Sequence, residues 1–158
     1  MNFLTEHGIS SYGELESKLT AISARRDTAH AEIKRIESRS AELTLVMKHA
    51  GTYRQLKPLY DRYRKSNDKE KFLRGHESEI ILFEAAAREL KRLGAVPLPT
   101  TESMKTELAN LAAEKERLLV KYKAARSEVQ EYETVKQNVD ALLAVPKEQE
   151  QQRRHELE

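Results

Sequence analysis

The chain of 158 residues contains no cysteine and no tryptophan, and only five glycines and four prolines. Without cysteine it can form neither a disulfide nor a thiolate-ligated zinc site, and it is compatible with the cytoplasmic location that we expect. So few turn-forming residues exclude a β-sandwich or a doubly wound α/β sheet. No uncharged stretch approaches the roughly 18 residues that span a bilayer, and we expect no secretion signal. What is left is a protein built from long helices.

Charged residues, by contrast, are abundant. They make up 34% of the chain, while hydrophobic residues make up 39%, so the apolar core must be a narrow seam. The 28 lysines and arginines nearly balance the 26 acidic residues, which leaves a net charge of +2. Any electrostatic attraction to nucleic acid must therefore come from local clusters of charge.

The first half of the chain carries a heptad pattern. Ser11-Tyr12-Gly13-Glu14 has the form of a capping box, and apolar residues then recur at alternating steps of three and four. Such a sustained period of 3.5 residues indicates a coiled coil. We expect a lead-in over residues 1–11 and a first rod over residues 12–50 that ends near Gly51. The seam positions of this rod are Tyr12, Leu15, Leu19, Ile22, Arg26, Ala29, Ile33, Ile36, Ser40, Leu43, Met47 and Ala50.

A second heptad pattern follows the helix-breaking segment Pro97-Leu98-Pro99, with Thr100 and Thr101 as candidate N-caps. It predicts a second rod over residues 100–144 and a disordered, polar tail over residues 145–158. The seam positions are Met104, Leu108, Leu111, Lys115, Leu118, Tyr122, Ala125, Val129, Tyr132, Lys136, Val139 and Leu143. Two rods of similar length predict an all-α fold, a long antiparallel coiled-coil hairpin within one chain. A homodimer that pairs each rod with its copy is the competing arrangement.

Residues 51–99 predict a small helical head and linker between the rods. A short helix is expected from Thr52 with Pro58 bending it, and Ser66-Asn67-Asp68 supplies a turn. A further helix should run to about Leu93 and stop at Gly94. Its expected apolar face consists of Phe72, Ile80, Phe83, Ala87 and Leu90.

No arrangement of residues predicts catalysis. The five histidines are scattered singly, without the spacing of a metalloprotease or a di-iron bundle, and the five glycines form no phosphate-binding loop. We therefore expect no catalytic residue, no metal, no cofactor, no small-molecule substrate and no membrane partner.

One local cluster of charge stands out. Between Lys48 and Arg74, nine cationic residues face three acidic ones, and tyrosines are interleaved with them. Cations can neutralise phosphates while aromatic rings stack on unpaired bases, as in proteins that hold single strands. Alternatively, the tyrosines pack a small core and the charges are merely solvated. The candidate nucleic-acid-binding residues are Arg54, Lys57, Tyr60, Arg62, Tyr63, Arg64, Lys65, Lys69, Lys71 and Arg74.

The segment from Thr52 to Lys65, with the following Asn67-Asp68-Lys69-Glu70-Lys71-Phe72 and the acidic-apolar stretch 76–87, resembles the C-terminal region of relaxase/mobilisation nucleases. These nucleases belong to conjugative and mobilisable elements of Gram-positive bacteria, and their catalytic module lies N-terminal to this region. None of its motifs matches here, so no tyrosine of this chain is assigned as a nucleophile. The resemblance implies a non-catalytic accessory region that binds DNA, either single-stranded or at the transfer origin, or binds relaxosome proteins or secretion coupling proteins during conjugative transfer. The alternative is a coiled-coil interaction or homodimerisation module with no DNA role.

Overall fold

The computed structural model describes the backbone of residues 3–157 and the side chains of residues 3–144. Over these residues the chain forms four helices and no strand: α1 (Phe3–Glu6), α2 (Tyr12–Lys65), α3 (Lys69–Arg92) and α4 (Thr101–Leu157). The all-α prediction is confirmed. None of the described helices combines the length and the apolar character needed to cross a membrane.

The start of α2 is capped as the sequence predicts. The backbone N–H of Glu14 donates to Ser11 Oγ at 3.2 Å, and the Glu14 carboxylate reaches back to accept from the backbone N–H of Ser10 at 2.8 Å. This hydrogen bond holds the pKa of Glu14 below its usual range. The two bonds, one to Ser11 and one to the residue before it, fix the residue at which the helix begins.

The predicted end of the first rod near Gly51 is wrong, because α2 continues through Gly51 and Pro58 to Lys65. A single interior glycine costs only about 1 kcal/mol relative to alanine, which packing on both sides of it outweighs. Pro58 removes one backbone donor, but it lies on the exposed side of the helix. The separate short helix expected from Thr52 is therefore the last part of α2.

The described residues form two compact units. Unit 1 comprises the chain up to Ile33 together with the chain from Glu116 onward. Here α2 and α4 run antiparallel, with the Tyr12 hydroxyl donating to Asp140 Oδ1 at 2.6 Å and the rings of His30 and Tyr122 centred 5.7 Å apart. Its core contains Ile9, Leu15, Ile22, Val129 and Tyr132, with Phe3, Leu4, Leu19, Val135 and Val139 packed against them.

Unit 2 comprises residues 34–115. The Arg39 guanidinium donates twice to the Glu107 carboxylate, from Nε at 2.8 Å and from Nη2 at 3.2 Å, and this contact together with the pairing of Glu37 with Lys115 shows that α2 and α4 run antiparallel here too. Lys115, expected at a polar seam position, forms an ion pair with Glu37 at 3.5 Å. The buried face of α3 consists of Ile80, Phe83, Ala86 and Leu90. The predicted antiparallel pairing of the two long helices is thus present within each unit of a single chain.

The boundaries of α3 and the start of α4 agree with the sequence. The Asp68 carboxylate caps α3 by accepting from the Lys71 N–H at 3.1 Å, and Gly94 follows the helix with a φ of +70°. Thr100 caps α4 by accepting from the Ser103 N–H at 3.1 Å.

The two ends of the chain differ from expectation. The lead-in contains α1, whose Phe3 ring packs edge-on against Tyr132 with centroids 5.0 Å apart. The tail predicted as disordered is helical, because α4 continues to Leu157. Met1, Asn2 and Glu158 lie outside the described residues, as do the side chains from residue 145.

Candidate nucleic-acid interface

The basic residues of the candidate interface concentrate where α2 ends and α3 begins. We call residues 62–74 the α2–α3 corner. The turn is fixed by Ser66, whose N–H donates to the Tyr63 carbonyl at 3.2 Å and whose Oγ accepts from the Asp68 N–H at 3.3 Å. A short, hydrogen-bonded turn therefore places cations from two helices beside one another.

Five cations of the corner carry no partner. They are exposed, and within the described residues they make no ion pair and no side-chain hydrogen bond. These residues are Arg62, Arg64, Lys65, Lys69 and Lys71.

Helix stability accounts for only some of these charges. Arg62, Arg64 and Lys65 lie in the last turn of α2, where the partial negative charge of the helix terminus attracts cations. Lys69 and Lys71 lie in the first turn of α3, where the same effect disfavours positive charge by about 0.3–1 kcal/mol. Their presence there raises the positive potential of the corner at a small cost in stability.

The three remaining candidate cations are engaged within the protein. Arg54 donates from Nη1 to Thr101 Oγ1 at 2.9 Å and from Nη2 to the Pro99 carbonyl at 2.6 Å, so it holds the start of α4. Lys57 pairs with Asp61 at 3.2 Å, one turn along α2. Arg74 donates from Nε to the Glu70 carbonyl at 3.4 Å. The structure thus separates the predicted set into free and engaged cations.

The tyrosines pack against α3. The rings of Tyr53 and Tyr60 both stack on Phe83, with centroids 4.8 Å and 4.2 Å away, and Tyr63 lies 6.0 Å from Phe72. All three tyrosines are half-buried, while Phe83 is buried. Each stacked face is unavailable to a nucleotide base, so the tyrosines serve mainly to join α2 to α3.

Two clefts adjoin the corner. One, of about 490 Å³, lies between α2 and α3 and brings Lys57, Arg64 and Arg88 together with the acidic Asp61 and Glu84. Its mixed charge makes it a poor phosphate site. The other, of about 270 Å³, is lined by Ser66, Asp68, Lys71, Phe72, Gly75 and His76.

The part of the chain whose side chains are described contains no group of three or more metal-ligating residues. His76 lies at a kink in α3, with a φ of −138°, and its Nδ1 is 3.6 Å from Glu79 Oε2. The expectation that this chain is not an enzyme stays a prediction.

Two features were not predicted from the sequence: the stacking of two tyrosines on Phe83, and the hydrogen bonds of Arg54 to Pro99 and Thr101. The signal for the first was present, since Tyr53 and Tyr60 are seven residues apart and so share one face of a helix. The assumed helix end at Gly51 separated those tyrosines from the buried Val46 and Ala50, which precede them on α2. No local pattern indicates the contact of Arg54 with residues more than 40 positions away.

Comparison of the chain with models of protein families, with curated proteins and with solved structures finds no match.

Proposed function

We propose that the α2–α3 corner binds the phosphate backbone of DNA with little sequence preference. The observation that supports this proposal is the set of five exposed cations without partners, contributed by two helices across one short turn. A surface whose cations are unpaired loses no ion pair when it meets a phosphate. Neutralising phosphates also releases condensed counterions, which drives association.

Binding is assigned to the cations rather than to the tyrosines. Phe83 covers one face of Tyr53 and of Tyr60, which leaves little room for base stacking. We therefore expect single-stranded and duplex DNA of equal length to bind with similar affinity. Near physiological salt, a dissociation constant on the order of 1–100 µM is expected, the range of non-specific binding.

The biological setting that we propose is that of an accessory, non-catalytic region of a relaxase-like mobilisation protein. The resemblance of the segment 52–87 supports it, since the corner lies within that segment. In this setting the corner would keep DNA, relaxosome proteins or secretion coupling proteins near a nuclease supplied elsewhere. A neighbouring reading frame that encodes a histidine-cluster nuclease would support this setting, and its absence would count against it.

The test is fluorescence anisotropy with a labelled oligonucleotide and its duplex over a salt series. Reversing Arg62, Arg64 and Lys65 to Glu should weaken binding to all sequences. If each of these cations contacts one phosphate, the slope of log affinity against log salt for the single strand should fall by ~2.

The matched control reverses three other exposed cations without partners, Lys105, Lys123 and Arg126, and so makes the same change in net charge. This control should retain most of the affinity. Absence of binding by the unaltered protein at low salt, or equal losses in the two triple variants, would remove the DNA role and leave the protein-interaction alternative.

A further inference from the structure

Unit 1 contains an open groove between α2 and α4 that no described side chain fills. Its volume is about 620 Å³. Ala29 and Leu118 form its buried floor. The groove is open at its sides because the side chains of Ala24 and Ala124 are small. The full lining consists of Ala24, Arg25, Thr28, Ala29 and Glu32 from α2, and Leu118, Lys121, Ala124, Ala125 and Glu128 from α4.

Four charged side chains, which we call the rim charges, lie at the two ends of this groove. Arg25 and Glu128 occupy one end, where both of their charges act on the Tyr132 hydroxyl. Glu32 and Lys121 occupy the other end, beside the contacting rings of His30 and Tyr122. Each helix therefore carries a positive charge and, seven residues later, a negative one, and the antiparallel pairing sets opposite charges across the groove at both ends.

None of these four charges is neutralised by an ion pair among the described residues. All four residues are exposed, and none of them makes an ion pair or a side-chain hydrogen bond there. In unit 2 the corresponding interhelical pairs do close, with Arg39 at 2.8 Å from Glu107 and Lys115 at 3.5 Å from Glu37. The four charges that line the groove of unit 1 form no such pair, so they are available to a molecule that enters or covers the groove.

Because positive and negative charges alternate around the groove, the face of unit 1 that carries it is electrostatically complementary to the same face of a second copy. A second copy can be placed face to face by a two-fold axis lying in the plane of contact and parallel to the helices. Arg25 of each copy then faces Glu128 of the other, and Lys121 faces Glu32. A two-fold axis perpendicular to the helices, in the same plane, also places opposite charges together, since Arg25 of each copy then faces Glu32 of the other and Lys121 faces Glu128. Either operation gives four attractive contacts, as an isologous interface requires.

We propose that the occupant of this groove is a second copy of the chain, which forms a two-fold homodimer through α2 and α4 of unit 1. The small side chains at Ala24 and Ala124 let the helices of the two copies approach closely, and the four rim charges set their alignment. This proposal is independent of DNA binding, because the groove shares no residue with the α2–α3 corner. It also differs from a dimer that exchanges rods, since the pairing of α2 with α4 inside each chain is kept.

Sedimentation velocity tests the proposal over about 5–500 µM protein, a range suited to a small interface. The unaltered chain should shift from monomer to dimer across this range. An acidic variant, Arg25→Glu with Lys121→Glu, should weaken self-association by roughly tenfold or more, because like charges replace all four attractive contacts. A basic variant, Glu32→Lys with Glu128→Lys, should do the same.

An equimolar mixture of the acidic and basic variants should restore a dimer, because each then supplies the charges that the other lacks. This recovery also shows that both variants fold. The control Lys123→Glu with Arg126→Glu makes the same change in net charge as the acidic variant on exposed residues outside the groove, and it should dimerise like the unaltered chain. A chain that stays monomeric at 500 µM, a dimer that the reversals leave unchanged, or a mixture that fails to associate would overturn the proposal.

Discussion

Phe83 is the buried side chain on which two tyrosines of α2 stack. Its exposed fraction is 5%, and it lies 4.2 Å from Tyr60 and 4.8 Å from Tyr53 between ring centroids. Replacing it with alanine removes the ring and leaves a cavity between α2 and α3. We expect Phe83→Ala to lower the free energy of unfolding by about 3–5 kcal/mol, measured by urea unfolding followed by circular dichroism.

The neighbouring Leu82 provides the control for this prediction, because 55% of it is exposed. Leu82→Ala should change the free energy of unfolding by no more than about 0.5 kcal/mol. If the two substitutions had equal effects, the stacked arrangement of the tyrosines on Phe83 would be contradicted.

Tyr12 joins the start of α2 to α4. Its hydroxyl donates to Asp140 at 2.6 Å, and this hydrogen bond is the main reason that its pKa is raised from 10.0 to about 12. A raised pKa in the folded state means that the contribution of this bond to stability is complete below pH 10 and is lost as the pH rises from 10 toward 12. Asp140→Asn should return the pKa of Tyr12 toward 10, as measured by NMR titration of the labelled ring carbon. A Tyr12 that titrates normally in the unaltered protein would show that the bond does not form in solution.

At the scale of the helix, Gly51 is an unfavourable residue in the interior of α2. It is exposed, and a Cβ added there would meet nothing within 4 Å. Gly51→Ala should therefore raise the free energy of unfolding by about 0.5–1 kcal/mol. Gly94→Ala is the contrasting case, because its φ of +70° should make the same change destabilising by about 1–2 kcal/mol. Urea unfolding of both variants checks the pair, and stabilisation by alanine at both positions would contradict the assigned backbone conformations.

Heptad spacing predicted which positions of α2 and α4 are buried better than where these helices end. Seven of the twelve seam positions of α2 and five of the twelve of α4 are buried, because a heptad repeat of apolar residues leaves water by packing against a partner helix. Gly51 and Pro58 suggested that the helix ends there, because glycine and proline each lower the stability of a helix interior. The sequence alone does not show that packing of Val46, Ala50 and the tyrosines outweighs that cost.

The candidate interface was predictable as a cluster of charge but not in its details. Nine cations within 27 residues are visible in the sequence, and six of them, Lys48 and the five of the α2–α3 corner, have no partner among the described residues. Which cations are free depends on contacts that only the fold creates, such as the reach of Arg54 to Pro99. The same holds for the groove of unit 1, because one pair of its charges comes from α2 and the other from α4, and the two pairs line one groove only when these helices pack together.

At the scale of the whole molecule, the same two long helices, α2 and α4, contribute to both compact units. They pair antiparallel within each unit. Because the chain has no cysteine, pairs of engineered cysteines can be spin-labelled without interference. One pair, Ser17→Cys with Gln137→Cys, reports on unit 1, and a second, Ser38→Cys with Ala109→Cys, reports on unit 2. All four positions are exposed, so labelling should not disturb the core.

Each labelled pair should give a short distance, because the axes of packed helices lie about 8–10 Å apart. The distances should persist when labelled protein is refolded with an excess of unlabelled protein, since both cysteines of a pair belong to one chain. Loss of the short distances on dilution would mean that the rods pair between copies, which is the competing arrangement. The face-to-face dimer of unit 1 predicts a different result, in which the intrachain distances survive dilution even at concentrations where sedimentation shows a dimer.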